Sequence, residues 1–315
     1  MQVSDRIGRR MKLQDLHILI TVVQAGSMGK AAEYLNTSQS AISRSIAELE
    51  HALGVRLLDR HRQGIEPTEY GRALLDCGLA VFDDLRRGIK NIEFIADPTA
   101  GEVWIGTIPA LTGSFVSHVI DHLSRRYPRI VFHLVATELE ALHRKLNDRS
   151  VDLLIVQQFN LFFEEKIDFE ILYDTSYVIV AGARHPWAKR RRVKLADLLS
   201  EPWVLAPNES VFGSATMSAF RASGLEYPRA TVFATEADAR MSLLKSGRFI
   251  SIFTSAVLTF ANRGSELKVL PVELPVTTQA PVGIVTLKDR VLSPVGRLFV
   301  ASARELAKPL KRAKS

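Results

Sequence analysis

The chain has a single cysteine, Cys77, among its 315 residues. An internal disulfide and a multi-cysteine zinc site are therefore excluded. No run of about eighteen apolar residues occurs, so no membrane-crossing helix is expected. Met1 to Arg10 is polar and basic without an apolar stretch, which predicts no secretory signal and a cytoplasmic location. The common catalytic signatures are also missing: no G-x-S-x-G, no G-x-x-x-x-G-K-[ST], no H-E-x-x-H, and no G-x-G-x-x-G after a strand. The eight histidines are scattered. His118 and His122 stand four apart on one predicted helix and can share a metal ion. No third ligand lies nearby in sequence, and a surface pair is the preferred reading. Neither an enzyme nor a bound cofactor is expected.

The rest of the composition is ordinary: 47% hydrophobic and 24% charged. The length suffices for two or three domains with real cores. The net charge of +7 favours a polyanionic partner without locating it. Residues 1–67 hold nine Lys/Arg against seven Asp/Glu, and residues 68–97 hold four against six. Cations near the N-terminus thus matter by position rather than by number. The densest basic run, Lys189 to Arg192 with Lys194, lies far downstream. It reads as a nucleic-acid patch or as a solvated loop between a strand and a helix, and the loop is preferred.

Periodicity organises the N-terminal part. Leu16, Leu19, Ile20 and Val23 recur at helical spacing, predicting a helix over Leu13 to Gln24. Gly26 can end it, and Ser27 can cap a second helix from Met28 to Leu35. Asn36-Thr37 supplies a turn, and Ser38 can cap a third helix whose apolar face is Ile42, Ile46, Leu49 and Leu53. The opposite face carries Gln39, Ser40, Ser43 and Arg44. Gln can pair with adenine edges, Arg with guanine or phosphate, and Ser with either. Gly54 stops the helix. Val55 to Leu58 and Gly64 to Pro67 then predict two short strands around a basic loop, Arg60-His61-Arg62. Such a unit is a winged helix-turn-helix, with Arg56, Arg60, Arg62 and Lys30 as candidate phosphate contacts. The bland alternative is a plain packing module with a solvated polar face.

Four stretches carry a family resemblance: Ala25 to Ala32, Leu35 to Ser43, Ile46 to Glu50, and Leu53 to Arg60. Together they resemble, without a gap, the winged helix-turn-helix of LysR-type transcriptional regulators. Pro67 to Gly71 resembles the family's passage from wing to linker helix. Ser40 stands where the family usually has Pro, and Leu58 where it usually has Phe. The resemblance covers about residues 12 to 305 and implies binding to double-stranded promoter DNA, with RNA polymerase as a further candidate partner.

Thr68 to Ala96 reads as one long helix with two adjacent apolar stripes: Leu74, Val81, Leu85 and Ile92, and beside them Leu75, Leu79, Phe82 and Ile89. So wide an apolar face calls for a partner. Packing on the chain's own domains is one reading. Pairing with a second copy, which the resemblance implies, is preferred, giving a homodimer or homotetramer with paired recognition helices. Cys77, on this helix, is read as a small buried hydrophobe rather than a redox sensor.

After the break at Asp97 to Gly101 the pattern becomes strand–helix–strand, which predicts parallel sheets covered on both faces. Strands are expected at Val103–Ile108, Ile130–Val135, Leu153–Val156, Phe169–Tyr173, Tyr177–Ala181, Trp203–Leu205, Ala230–Ala234, Ile250–Phe253 and Ala280–Leu287. Helices are expected at Gly113–Arg126, Thr137–Asp148, Leu195–Leu199, Ser214–Ser223, Glu236–Ser246 and Val295–Ala307, with a frayed tail after Lys308. Looser matches at Ile105 to Pro109, Val151 to Ile155 and Arg184 to Ala188 resemble the family's effector-binding region. That region is two α/β subdomains with two crossovers, similar to periplasmic solute-binding proteins. The expected division is 1–67 for DNA binding, 68–97 for the linker, and 98–315 for the effector region. Within the last, subdomain I takes about 98–160 and 268–315, and subdomain II about 161–267.

A ligand in such a fold sits between the subdomains, at the carboxyl ends of strands. The candidates there are Pro109, Ala110, Leu111 and Thr112, whose backbone N–H groups can hold an anion. Gln157, with Gln158 beside it, then Asn208, Thr235, and Ile252 with Phe253 at a strand end follow, with helix starts near Ser214 and Glu236. A small carboxylate suits this set. Ala110 stands where relatives often place a hydroxyl. Phe159, Phe162, Phe163 and Phe212 read equally as pocket lining or as core. The expected function is a sequence-specific regulator switched by a small effector. The alternatives are a ligand-independent DNA-bending repressor with a vestigial cleft, and a regulator domain fused to a catalytic α/β domain.

Overall fold

The structure, a computed structural model, describes residues 11–61, 64–157, 166–260, 266–272, 274 and 281–312. The chain divides into two compact units, one ending at Ile89 and the other beginning at Lys90.

The first unit holds α1 (Leu13–Ala25), α2 (Met28–Tyr34), α3 (Gln39–Leu53), β1 (Leu58–His61) and β2 (Gly64–Pro67). Helix α4 (Glu69–Ala96) starts in it. Every helix boundary here has a local cause. Gly26 and Gly54 end α1 and α3 in the left-handed region, at φ 68° and 73°. The Ser27 hydroxyl accepts from the Lys30 N–H and the Ser38 hydroxyl from the Ala41 N–H. Leu19, Val22, Met28, Ala31, Ile42, Ile46, Leu49 and Leu57 form the buried core. Leu53, expected on that buried face, is exposed. The α1 helix presents a second side to α4, where Gly78 leaves room for Ile20 and Leu16. Ser38→Ala should cost about 1 kcal/mol, the usual worth of an N-cap. Urea unfolding of the two proteins measures it, and an unchanged midpoint would show that α3 needs no cap.

The wing begins three residues later than its sequence suggests. Glu50 of α3 accepts at Oε1 from the backbone N–H groups of Leu57 and Leu58, at 2.8 and 3.3 Å. That tie holds the chain against α3, so the ladder starts at the pair Leu58–Pro67 and ends at His61–Gly64. Arg60 and His61 therefore lie on a strand instead of a loop, while Arg62 falls outside the described residues. Thr68 closes the unit. Its hydroxyl donates to the Arg56 carbonyl at 2.8 Å and accepts from the Gly71 N–H at 3.0 Å. A Cβ at Gly71 would run into the Leu57 carbonyl.

The second unit contains β3 (Ala100–Thr107), the single turn α5 (Pro109–Leu111), α6 (Ser117–Arg126), β4 (Arg129–Ala136), α7 (Leu139–Asn147), β5 (Leu153–Gln157), β6 (Ile167–Tyr173) and β7 (Tyr177–Gly182). There follow β8 (Trp203–Leu205), α8 (Val211–Ala222), β9 (Ala230–Phe233), α9 (Ala237–Leu244), β10 (Ile250–Thr254), α10 (Ser255–Phe260), β11 (Leu267–Val269), β12 (Val282–Leu287) and α11 (Pro294–Arg312). Two five-stranded sheets result, ordered β4-β3-β5-β12-β6 and β11-β7-β10-β8-β9. Both are mixed rather than purely parallel: β12 runs antiparallel to β5 and β6, and β7 antiparallel to β10 and β11. These antiparallel strands flank the two passages between sheets. β6 pairs with β12 in the first sheet, so the first passage lies at residues 174–176, not near 160. β11, which straddles the boundary expected at 267/268, belongs to the second sheet, so the return passage lies after Val269.

Alternation along β5 explains the covered faces. Leu153 and Ile155 join a core with α6 and α11, while Leu154 and Val156 pack with Leu142 and Leu146 of α7. In the second sheet Ile179, Trp203 and Ile252 pack on Phe220, and Val180 and Phe253 face Leu244 and Val257 on the other side. The expected helix at Gly113 begins instead with α5 and one π turn, Thr112–Val116, kinked at Ser114. α8 starts at Val211, earlier than Ser214, because Ser210 caps it through the Gly213 N–H. α11 runs past Lys308 to Arg312 rather than fraying. No helix among the described residues is long and apolar enough to cross a membrane.

Candidate functional site

Two regions gather chemistry that the folding core does not use. The first is the outer edge of α3. Its inner face, Ile42, Ile46 and Leu49, is buried. Ser40 and Arg44 are exposed one turn apart, Gln39 is exposed in the first turn, and Ser43 is half-buried. The Ser38 and Ser40 hydroxyls lie 2.9 Å apart. Arg60 of the wing strand reaches α3, donating from Nη2 to the Ser43 hydroxyl at 3.4 Å. One surface thus combines an amide, hydroxyls and two guanidiniums, the inventory that reads base edges and phosphates. Lys30 and Arg56 are exposed in the same unit.

Cys77 is exposed on α4, against the expectation of burial. It borders an apolar hollow with Leu53, Val55, Tyr70 and Leu74. Leu85 and Ile89 of this helix are exposed, as are Ile92 and Ile95 further along it. Of the apolar stripes seen in the sequence, Leu85, Ile89 and Ile92 are thus exposed in the single chain, while Leu74, Leu75, Leu79, Val81 and Phe82 are half-buried.

The second region is a cavity of about 130 Å³ between the two sheets of the second unit. It opens at the carboxyl ends of parallel strands. The first sheet contributes Ile108, Pro109 and Ala110 after β3, Glu138 and Leu139 after β4, and Gln157 at the end of β5. The second contributes Ala206, Ser210 and Phe212 around the start of α8, Thr235 to Ala237 and Arg240 around α9, and Phe253, Thr254 and Val257. Gln157 crosses between the sheets, donating from Nε2 to the Thr254 hydroxyl at 2.9 Å. Arg240 is 4% exposed. Its guanidinium lies 5.0 Å from the Phe212 ring centre and 4.9 Å from that of Phe253. Its Nε and Nη1 have no hydrogen-bond partner. Burial pulls its pKa down to about 10, against weaker upward pulls from Tyr227 and Glu236.

Of the sequence-expected ligand residues, Pro109, Ala110, Gln157 and Thr235 line this cavity. Four others do not. Leu111 points into the core of the first sheet. Thr112 borders an adjacent hollow, and its hydroxyl donates to the Ile108 carbonyl at 3.4 Å. The first loop is a helical turn, with the Leu111 N–H bonded to the Ile108 carbonyl, so it is no open anion cradle. Asn208 keeps a buried, unpartnered Oδ1 outside the cavity lining. Ile252 faces the core on Trp203, and its neighbour Phe253 takes the cavity side. Phe212 lines the cavity and also packs edge-on against Tyr177. Gln158, Phe159, Phe162 and Phe163 fall outside the described residues.

Sequence reasoning missed Arg240, Glu138 and Glu236. A signal for Arg240 was present: it stands three after Ala237 and four before Leu244, on the inward stripe of α9. His118 and His122 are exposed, and no group of three metal-ligating side chains occurs among the described residues. The basic run at 189–192 is an exposed turn and loop after β7.

Comparison with known proteins supplies an independent view. A family profile described as bacterial regulatory helix-turn-helix protein, lysR family, matches residues 13–72. Another, LysR substrate binding domain, matches residues 96–308. The chain is 25% identical over 296 residues to the HTH-type transcriptional regulator GbpR of Azospirillum brasilense, covering 94% of this chain and 86% of that one. It is 28% identical over 290 residues to the transcriptional dual regulator GltC of Bacillus subtilis, covering 92% and 95%. Full-length OxyR from Pseudomonas aeruginosa shares the fold with a TM-score of 0.69 at 21% identity, covering 97% of this chain and 99% of that one. Full-length CbnR complexed with its target DNA matches with a TM-score of 0.55 at 22% identity, covering 94% and 100%.

Proposed function

The chain belongs to the LysR family of transcriptional regulators, and from that premise we propose that it reads promoter DNA with α3 and is switched by a small carboxylate held between its two sheets. The observation that carries the first half is the outer edge of α3. A capped helix buries one side and leaves Gln39, Ser40, Ser43 and Arg44 on the other, with Arg60 of the wing brought against Ser43. The exposed apolar residues Leu85, Ile89, Ile92 and Ile95 of α4 support pairing with a second copy. Two copies would place two recognition helices on half-sites about 34 Å apart or at multiples of that distance. Lys30, Arg56 and Arg60 would hold phosphates, and Arg44 would read a base.

The cavity supports the second half. Its ligand must bind two arrangements of the protein with different affinity, or nothing switches. Gln157 and Thr254 already join the sheets across the cavity by a hydrogen bond. A ligand that competes for either group would act on that bond directly. Ser210, Thr235 and Ala110 would line the rest of the site.

Footprinting on the DNA upstream of the protein's own gene tests this reading. Small carboxylates are added singly at fixed salt. A protected palindrome whose length or position changes with one compound is the expected result. Protection indifferent to every compound would overturn the switch and favour a ligand-independent repressor.

A further inference from the structure

Among the described residues, Arg240 is a buried charge that the fold compensates only in part: Tyr227 and Glu236, the latter one turn earlier at the start of α9, pull its pKa up more weakly than burial pulls it down. It is 4% exposed, and both Nε and Nη1 lack a hydrogen-bond partner. Its neighbours on either side are the rings of Phe212 and Phe253. Ring faces attract a cation but accept no N–H bond of normal strength. A desolvated guanidinium with open donors is costly unless an anion completes it. The guanidinium lines the cavity. The lining elsewhere is apolar at Ile108, Ala110, Leu139 and Val257. Two acidic side chains, Glu138 and Glu236, also line it, and both residues are exposed.

These features impose a charge pattern on any occupant. The volume of about 130 Å³ is close to that of apolar cavities of about 150 Å³ that accept one benzene ring. The ligand is therefore ring-sized, not drug-sized. We propose that the cavity selects a compact monocarboxylate, received by the open donors of Arg240, and rejects a dicarboxylate because the other charged residues lining it, Glu138 and Glu236, are both acidic. A neutral or cationic tail is accepted beside them and a second anion is repelled. The proposal rests on the effector reading above, deepens it by one residue and one unit of charge, and can fail without it.

The test uses the full chain and four probes: benzoate, benzamide, 4-carbamoylbenzoate and terephthalate. Benzamide differs from benzoate by the missing charge. Terephthalate differs from 4-carbamoylbenzoate by one added charge at nearly constant size. Titration calorimetry at constant ionic strength is expected to show benzoate binding, with benzamide weaker by about tenfold or more, as loss of a charged hydrogen bond implies. Terephthalate should bind at least about tenfold more weakly than 4-carbamoylbenzoate, a gap that the Glu138→Gln/Glu236→Gln double variant closes. Arg240→Met fills the same space without charge. It should abolish benzoate binding while its melting temperature without ligand stays equal or rises.

Equal binding of benzoate and benzamide would overturn the proposal. So would undiminished benzoate binding in a folded Arg240→Met protein, a terephthalate affinity equal to that of 4-carbamoylbenzoate, or no binding of either monoanion at millimolar concentration. The footprint separates this from the effector reading. Arg240-dependent binding that never alters the footprint would sink the switch alone. A footprint altered by an uncharged compound, with Arg240→Met still responsive, would sink the charge selection alone.

Discussion

Arg44→Ala should weaken binding to the preferred DNA sequence by about 1–3 kcal/mol and leave binding to scrambled DNA nearly unchanged. The expectation follows from where the side chain stands. Arg44 is exposed on α3 next to Ser43, on the side opposite Ile42 and Ile46. It takes no part in the core, so its loss should not unfold the unit. A base contact is lost only where the right base is present, and a phosphate contact is lost everywhere. Competition binding with matched and scrambled duplexes separates the two. Equal weakening on both would make Arg44 a phosphate contact and shift base reading to Gln39, Ser40 and Ser43.

Trp203→Ala should have the largest effect on stability, about 3–5 kcal/mol. Trp203 is fully buried on β8, an inner strand of the second sheet between β10 and β9. Its indole N–H donates to the Leu198 carbonyl at 2.8 Å, and its ring meets Phe220 edge-on at 5.7 Å. Truncation leaves a cavity and removes one of the two hydrogen bonds that the Leu198 carbonyl accepts, the other coming from the Glu201 N–H at 3.1 Å. Because Phe253, Thr254 and Arg240 stand on elements packed in that sheet, ligand binding should fall with stability. Denaturant unfolding followed at two wavelengths reads the loss. A cost below about 1 kcal/mol would mean that the site collapses around the missing ring.

The helix-turn-helix was legible because its signals are local. Gly26, Ser27, Ser38 and Gly54 mark helix ends within a few residues of the apolar stripes they bound, and each does so in the structure. The wing start was not legible, since it depends on Glu50 reaching the Leu57 and Leu58 amides from another element. The exposure of Cys77 was equally hidden. Cys77 lies outside both apolar stripes of α4, and the stripes themselves hold half-buried and exposed residues, so a place on an apolar helix did not mean burial.

The second unit shows where periodicity runs out. β10 reads Ile-Ser-Ile-Phe-Thr and is buried throughout. A strand covered on both faces carries no polar alternation, so the sequence does not say which residue faces the cavity. Ile252 and Phe253 were both read as facing the cleft, and of the two Phe253 lines the cavity while Ile252 packs in the core. Mixed sheets were missed for a related reason: β6 and β12 look like any other apolar strand, and their direction is set by where the chain passes between sheets. Arg240 was overlooked because a lone Arg is normally read as surface. Its position on the inward stripe of α9 was the available clue.

The most direct test of the account is one ratio: affinity for a duplex selected by this protein from random sequence over affinity for its scrambled version, at about 0.15 M salt, where phosphate attraction is moderated. The account predicts a ratio of about 10³ or more, falling toward unity when Gln39, Ser43 and Arg44 are all replaced by Ala. A ratio near one for the wild-type protein would contradict it, since α3 would then bind DNA without reading it.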